Sequence, residues 1–444
     1  MGVWRAVVGV AVGLSLVGLS LVGLVPAAAA APVAFHDAAG IHVVAVRRID
    51  DRQLNVAVSS AALGRAVDVR ILLPAGYASG GRFPTLYLFH GTSGRASDWV
   101  TQGDAERTTA SERLITVMPD AGFDGDGGGW FTDWVDTGTV LGPSKWETFH
   151  VAQLIPWVDA NLHTIAARRG RAIAGLSQGG FGAMTYAARH PDTFVAAGSF
   201  SGAPEIDHNP AVTVGATAVV EATAYGLDRV EPEAMFGSRV TREVNWQGHD
   251  PSTIITNLRG MSLSLWTASG LPGPYDKAPN PGASLIEALT HASTSDFHAH
   301  LQQVGIPSLY DDYVYGTHTW PYWTRDLRQF MVPLMAAFAQ PPSPVRVSYM
   351  SIDRRWSQWG WSVAIQRSAV QEFSSLTDAG PDGFVLAGSG RATVTTPAVY
   401  PAGSSVSVSV AGAPPQRLAV DGSGRLTLVV DLSRPARVTI SRSA

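Results

Sequence analysis

The chain has 444 residues, 45% hydrophobic and 15% charged, a globular composition long enough for one large domain and a second small one. Its 32 basic and 36 acidic side chains give a formal net charge of −4, so no basic field indicates nucleic-acid binding. The absence of cysteine excludes disulfides, zinc–thiolate sites and thiol catalysis, so a large hydrophobic core must hold the chain together.

The first thirty residues have the layout of a secretory signal peptide. Arg5 precedes an apolar run at residues 6–25, Pro26 ends that run, and residues 27–31 offer small residues for cleavage. A run of this length could also span a bilayer as an uncleaved anchor, but its four glycines weaken it as a helix. We therefore expect residues 1–30 to be removed and the protein to be secreted or held in the cell envelope. No later run is long enough to span a membrane.

The region expected at residues 31–340 alternates apolar strands with helical segments. Strand-like runs lie at 65–73, 85–89, 114–118, 171–174, 194–200 and 262–266, and helical spacing at 146–162, 182–189 and 327–339. This alternation predicts a doubly wound, mostly parallel sheet of the α/β class. An Ala-rich insertion at residues 208–257 interrupts the rhythm and is expected to form a lid or one wall of a substrate cleft.

A different organisation follows the proline-rich linker at residues 341–345. Runs with a period of two, separated by Gly, Pro and Asp turns, predict a small all-β, sandwich-like domain at residues 346–444. Its first segment holds Trp356, Trp359 and Trp361. Exposed tryptophans could stack on cell-wall sugars, but burial in the sandwich or against the larger domain is the commoner fate of such side chains.

Residues 175–179, Gly-Leu-Ser-Gln-Gly, have the G-x-S-x-G pattern of a nucleophile elbow. The pattern alone is weak, because an ordinary loop can show it by chance. Here it follows a predicted strand and precedes a predicted helix, the context that an elbow requires. The sequence therefore predicts an α/β-hydrolase with Ser177 as its nucleophile.

A serine hydroxyl needs a base that takes its proton. His318 follows the last predicted strand and precedes the closing helix, where the catalytic histidine of this fold belongs. His291, His298 and His300 lie in a predicted helix and are expected at the surface.

The acid that orients the histidine has two candidates, Asp276 and Glu287, which both follow the strand near residue 267. Topology slightly favours Asp276, because it lies in the loop directly after that strand. Asp311 and Asp312 are closer to the histidine in sequence but are expected to face solvent.

An oxyanion hole needs two backbone N–H groups. The residue after the nucleophile is Gln178, and the loop after an early strand offers Thr92. His90 in the same loop has no second ligand at a useful spacing, so a structural role in the loop is favoured over a metal site, and no metal is predicted. No cofactor is predicted either.

These residues give the chain a family likeness: it resembles the antigen 85 mycolyltransferases and, more broadly, the esterase-D-type serine esterases. The matching runs cover about residues 45–335 and lie at 86–91, 133–134, 145–149, 174–177, 190–191, 201–202 and 316–323. In that family the acid is a glutamate on a helix about thirty residues before the catalytic histidine. The resemblance therefore implies Glu287 as the acid and leaves Asp276 in reserve.

The loop after the early strand differs from the antigen 85 pattern. His90 and Ser93 stand where those enzymes carry an acidic residue and a sugar-contacting arginine, and His-Gly is the esterase-like form of the loop. Thr267 takes the place of a free cysteine. We predict that His90, Ser93 and Trp320 contact the substrate.

The resemblance implies a serine acyltransferase that moves a mycolic-type acyl group between glycolipid and sugar acceptors through an acyl-Ser177 intermediate. Trehalose and arabinogalactan are the acceptors it suggests, and the C-terminal domain could bind cell-wall glycan. Two alternatives remain open: a secreted carboxylesterase that uses water, and a non-catalytic envelope-binding protein on a hydrolase scaffold.

Overall fold

The computed structural model describes residues 33–123, 125, 127–368 and 371–442. The predicted signal peptide, residues 1–30, lies outside the described residues. The chain from Ala34 onward clusters into one compact unit. Within the described residues, no helix combines the length and apolar character needed to cross a membrane.

The α/β region, residues 34–340, contains one sheet and the helices around it. Its strands are β1 (Ile41–Arg48), β2 (Gln53–Ser60), β3 (Ala66–Leu72), β4 (Thr85–Phe89), β5 (Ile115–Pro119), β6 (Arg171–Leu176), β7 (Ala196–Phe200), β8 (Ser262–Thr267) and β9 (Leu309–Asp312). Its helices are α1 (Asp98–Thr101), α2 (Ala105–Thr108), α3 (Ile155–Asn161), α4 (Gln178–Arg189), α5 (Pro210–Ala222), α6 (Glu243–His249), α7 (Pro281–Gln303) and α8 (Trp320–Ala339). Short 3-10 helices lie at Tyr77–Ser79, Arg168–Gly170 and Ile255–Leu258, and π-helical turns at Thr148–Leu154 and Thr223–Asp228.

The sheet has the strand order β1-β2-β3-β5-β4-β6-β7-β8-β9. The pairings from β5 to β9 are parallel, and the β1–β2–β3 edge is antiparallel. Strands β4, β5 and β7 are buried along their whole length, as expected for parallel strands that are covered on both faces. The predicted α/β-hydrolase class is confirmed.

Two helical predictions differ from the structure in detail. The segment expected to be one helix at 146–162 is a π-helical turn, Thr148–Leu154, that continues into α3. The closing helix begins at Trp320, earlier than predicted, because Pro321 at its start has the backbone angle that suits a first helical turn.

The β region, residues 347–442, contains two antiparallel sheets in the orders β10-β13-β14-β19-β16-β17 and β11-β12-β15-β18. Side chains from both sheets form one hydrophobic cluster between them, as in a sandwich. The strands are β10 (Val347–Ser351), β11 (Arg355–Gln358), β12 (Trp361–Gln366), β13 (Ser374–Gly380), β14 (Gly383–Ala387), β15 (Arg391–Thr395), β16 (Ser405–Val410), β17 (Gln416–Ala419), β18 (Thr427–Asp431) and β19 (Ala436–Arg442).

Of the three tryptophans at the start of the β region, Trp356 and Trp361 are buried and Trp359 is half-buried. Trp356 and Trp361 belong to the cluster between the two sheets. The indole of Trp359 lies under the guanidinium of Arg168, 4.6 Å from ring centroid to Cζ, and its backbone N–H donates to Asp192 at 2.8 Å. All three side chains therefore take part in packing contacts, which is the commoner fate expected from the sequence.

A buried ionic cluster around Glu147 joins the α/β region to the β region. Arg189 Nε donates to Glu147 at 2.8 Å, His190 Nε2 lies 2.7 Å from the same carboxylate, and Arg189 Nη2 lies 3.2 Å from Asp353. Tyr349 donates its hydroxyl proton to the Arg189 carbonyl at 2.8 Å. Burial opposes ionisation of Glu147, but Arg189 and His190 hold its pKa well below the ordinary value. The runs at residues 145–149 and 190–191, which contain Glu147 and His190, therefore have a structural role in this interface.

Candidate active site

Ser177 lies at the sharp turn between β6 and α4, with φ of 52° and ψ of −127°. Its backbone N–H donates to the Phe200 carbonyl at 2.9 Å, which fixes the turn against the neighbouring strand. A Cβ at Gly175 would lie 2.3 Å from the Gly179 carbonyl, and a Cβ at Gly179 would lie 2.3 Å from the His90 carbonyl. The two glycines are therefore required by close backbone contacts on both sides of the serine.

The side chains of Ser177, His318 and Glu287 form one hydrogen-bonded chain. His318 Nε2 lies 2.8 Å from Ser177 Oγ, and His318 Nδ1 lies 2.8 Å from Glu287 Oε2. With Nδ1 protonated toward the carboxylate, Nε2 is free to accept the serine proton. The three residues that the sequence indicated as nucleophile, base and acid are thus brought together in the order that acyl transfer requires.

Glu287 is fully buried on α7 and is held by two further donors. The Ser201 hydroxyl donates to Oε1 at 2.8 Å, and the Ala268 backbone N–H donates to the same oxygen at 2.9 Å. The second carboxylate oxygen is left for the histidine. This arrangement fixes the orientation of the carboxylate and, through it, that of the His318 ring.

Asp276, the reserve acid, binds the histidine loop instead of the histidine. Its carboxylate accepts hydrogen bonds from the Gly273 N–H at 2.7 Å, the Tyr322 hydroxyl at 2.7 Å and the Thr317 hydroxyl. Burial alone would raise the pKa of Asp276, but these three donors together lower it. Asp276 thereby anchors the residue next to His318, and topology could not distinguish this position from the acid position.

The two residues predicted for the oxyanion hole also meet. Gln178 is the first residue of α4, so its N–H is one of the groups that have no acceptor within the helix. The Thr92 N–H has no hydrogen-bond partner within the described residues. The Gln178 side chain donates from Nε2 to Thr92 Oγ1 at 3.1 Å and so links the two loops.

The prediction that His90 contacts substrate is not supported, because its ring is buried beneath the loop. The Ala121 N–H donates to Nε2 at 2.8 Å, and Nδ1 donates to the Gly91 carbonyl at 2.7 Å. Both ring nitrogens are thereby used in holding the loop. Ser93 and Trp320, in contrast, line the cavity above Ser177.

The cavity that contains Ser177 and His318 has a volume of about 780 Å³. One wall is α5 from the 208–257 insertion, and a second wall is one face of α7. The side chains on these two helices that line it are mostly apolar: Ala211, Val212, Ala216, Val219, Ile286, Leu289, Thr290, Ala292 and Ser293. The insertion therefore contributes a wall of the cleft, and the cleft can take an extended apolar group next to the nucleophile.

Comparison with known proteins agrees with this geometry. The Esterase family model matches residues 60–361, which include the serine turn, Glu287 and His318. The chain belongs to the esterase family.

Curated members of the wider family divide between two activities. An esterase of Mycobacterium tuberculosis is 33% identical over 274 residues, which are 61% of this chain and 57% of the relative. The present chain thus spans little more than half the length of that relative. Diacylglycerol acyltransferase/mycolyltransferase Ag85A of Mycobacterium tuberculosis is 28% identical over 295 residues, 64% of this chain and 81% of the relative.

Solved structures show the same fold. The crystal structure of Mycobacterium tuberculosis MPT51 aligns with a TM-score of 0.53 and 27% identity, over 64% of this chain and 98% of MPT51. The predicted resemblance to the antigen 85 and esterase group is therefore confirmed, and it is confined to the α/β region and the first strands after it.

Some lining residues of this esterase-family cleft had no role in the sequence prediction. Ile286 and Leu289 flank Glu287 on α7 and are 46% and 41% exposed, although both are large and apolar. Apolar residues at this spacing are typical of a helix face that packs on another element. Only the tertiary structure shows that these two side chains face a cleft.

Proposed function

We propose that this esterase-family protein is a serine acyltransferase that moves a long, mycolic-type acyl group between glycolipid and sugar acceptors through an acyl-Ser177 intermediate. The observation that carries the proposal is the position of the Ser177–His318 pair, 2.8 Å between Oγ and Nε2, at the floor of an apolar cavity of about 780 Å³. A long acyl chain matches the walls of such a cavity, and the ester carbonyl would lie next to the nucleophile.

In the first half-reaction, Ser177 Oγ attacks the ester carbonyl and its proton passes to His318 Nε2. The carbonyl oxygen becomes an oxyanion, which the N–H groups of Thr92 and Gln178 stabilise. The C–O bond to the leaving alcohol then breaks, and that alcohol takes the proton from His318. Throughout this half-reaction, Glu287 accepts the hydrogen bond from the Nδ1–H group of His318 and stabilises the charged imidazole. The product is an acyl ester of Ser177.

In the second half-reaction, a hydroxyl group of the acceptor loses its proton to His318 and attacks the acyl carbonyl. The C–O bond to Ser177 Oγ then breaks, and the serine oxygen takes the proton back from His318 Nε2. With a sugar hydroxyl the product is a new glycolipid ester, as in the mycolyltransferase activity named for Ag85A. With water the product is a free acid, as in the activity named for the more similar esterase relative. That relative makes hydrolysis the second candidate function.

We further propose that the protein acts outside the cytoplasmic membrane, on an envelope glycolipid. The apolar run at residues 6–25 with its basic start and small-residue end supports export.

The proposal is tested with p-nitrophenyl esters and then with trehalose monomycolate. Ser177→Ala should lower kcat/KM for the chromogenic esters by at least about 10³-fold, with unchanged circular dichroism. Ser111→Ala, at an exposed serine that does not line the cavity, is the matched control and should retain activity. A folded wild type with no turnover would support the non-catalytic alternative, and a Ser177→Ala variant with full activity would overturn the assignment of Ser177 as the nucleophile. With the glycolipid, formation of dimycolate identifies transfer and formation of free mycolic acid alone identifies hydrolysis.

A further inference from the structure

We propose that Glu205, His208 and Asp296 form a binding site for a divalent transition-metal cation, of which zinc is the best fit. Glu205 and His208 lie in the segment that leads into α5, and Asp296 lies on α7. The site would therefore join the two helices that form the walls of the cleft.

The three side chains converge although 88 residues separate Asp296 from His208. One potential ligand atom from each of them lies within 4.8 Å of the other two. His208 Nδ1 and Glu205 Oε1 are 3.7 Å apart. Ligand atoms around one zinc ion lie about 3 to 3.5 Å apart, since each is about 2 Å from the metal, so small side-chain rotations would complete the site.

Glu205 gives a second, independent indication of a ligand. Its side chain is fully buried, and its Oε2 atom has no hydrogen-bond partner among the described residues, whereas Oε1 accepts from the Asn209 N–H. A buried carboxylate oxygen without a partner is costly, and a cation is one of the few groups that would satisfy it.

The surroundings of His208 suit a ligand ring. The His300 ring stacks on it with centroids 4.2 Å apart, and His300 Nδ1 is bound to the Ser252 hydroxyl at 2.9 Å. Because His300 lies on α7, this stacking contact fixes the orientation of the His208 ring against that helix. His208 remains 45% exposed at its side chain, so an ion can enter from solvent.

The donor set selects the class of ion. One imidazole and two carboxylates within a compact triangle are typical of zinc and related first-row metals. Magnesium and calcium prefer six or more oxygen ligands and would gain little from His208. A bound ion would hold the start of α5 against α7. Because Glu205 also lines the cavity, the ion would brace the cleft close to its wall.

The test uses the full chain after treatment with a chelator and dialysis. We expect titration calorimetry with zinc chloride to give one site per chain, and zinc to raise the melting temperature. His208→Ala and Asp296→Asn should each weaken zinc binding by at least about 10-fold, since even residues outside the first coordination sphere contribute that much. Magnesium chloride at the same concentration should not compete.

Two control variants test whether zinc binding belongs to these three side chains. His291 lies on α7, the helix that carries Asp296, and its ring pairs with Asp312. The His291→Ala variant should therefore bind zinc like the wild type. Ser177→Ala should also bind zinc normally, so that loss of the proposed activity and loss of the metal site are distinguishable. The proposal is overturned if the wild type binds no zinc, or if His208→Ala and Asp296→Asn bind it as tightly as the wild type.

Discussion

The side-chain amide of Gln178 donates to the hydroxyl of Thr92 across 3.1 Å, although the two residues are 86 positions apart. The contact exists because β4 and β6 are neighbours in the sheet, so that the loops at their carboxyl ends lie side by side. These are also the residues whose backbone N–H groups we propose for the oxyanion hole. The hydrogen bond therefore sets the spacing between the two donors.

Thr92→Val tests this spacing, because it removes the acceptor hydroxyl and keeps the backbone N–H. We expect kcat to fall by up to about 10-fold with little change in KM, since a hydrogen bond worth about 1 kcal/mol positions the donors. Steady-state kinetics on a p-nitrophenyl ester provide the measurement. Ser111→Ala, outside the cavity, serves as the comparison, and a Thr92→Val enzyme with wild-type kcat would show that the bond has no positioning role.

Glu287→Gln and Asp276→Asn distinguish the two candidate acids. Glu287→Gln should lower kcat/KM by about 10²- to 10⁴-fold, because an amide cannot stabilise the charged imidazole or select its tautomer. Asp276→Asn should cost less than about 10-fold, because it weakens hydrogen bonds to the loop around His318 and not to the ring. Equal losses in both variants, at unchanged melting temperature, would contradict this division of roles.

The cavity wall formed by α5 predicts a dependence on acyl chain length. Ala216→Phe places a bulky ring in the cleft, and such overpacking costs about 1–3 kcal/mol. We expect kcat/KM for a p-nitrophenyl dodecanoate to fall by about 10-fold or more while the acetate ester is unaffected.

Val214→Phe is the matched control for this change. Val214 lies on the same helix, is 74% exposed and does not line the cavity. Its substitution should leave both esters unchanged. If Ala216→Phe left the chain-length profile unchanged, the acyl group would have to bind elsewhere.

His150 predicts a pH dependence of stability. It is buried, with Nε2 donating to the Asp120 carbonyl at 2.8 Å and Nδ1 accepting from the Tyr186 hydroxyl at 3.0 Å. Burial lowers its pKa from 6.5 to about 3. Below pH 6.5 the His150 ring becomes protonated in the unfolded chain, whereas it stays neutral in the folded protein. The stabilising contribution of the neutral ring is therefore complete above pH 6.5 and is lost as the pH falls toward 3.

Urea unfolding at pH 7, 6 and 5 measures this effect for wild type and His150→Gln. Below pH 6.5 the free energy of unfolding of the wild type should fall more steeply than that of the variant, by up to about 1.4 kcal/mol per pH unit. His42→Gln, at an exposed histidine, should keep the wild-type slope. Parallel profiles for wild type and His150→Gln would refute the prediction.

Local patterns in the sequence were sufficient for the serine turn and for the fold class. The elbow depends on contacts among residues a few positions apart, and the buried strands have continuous apolar runs that short segments reveal. His318 was also recognisable, because its loop lies between a strand and a closing helix. Six of the nine strands of the sheet, β3 to β8, were predicted with bounds. Strands β1 and β2 were not delimited, and the polar strand β9 had no apolar signal.

The partners of these residues depended on the tertiary structure. Asp276 and Glu287 follow the same strand, and only the folding back of the histidine loop decides that Glu287 meets the ring while Asp276 meets Thr317. The His90 ring is held beneath its loop by a hydrogen bond from the Ala121 N–H, and no local sequence pattern indicates this contact. The cleft walls and the convergence of Glu205 with Asp296 likewise arise from packing between distant segments. The physical reason is that such contacts are set by long-range packing, which short-range sequence patterns do not encode.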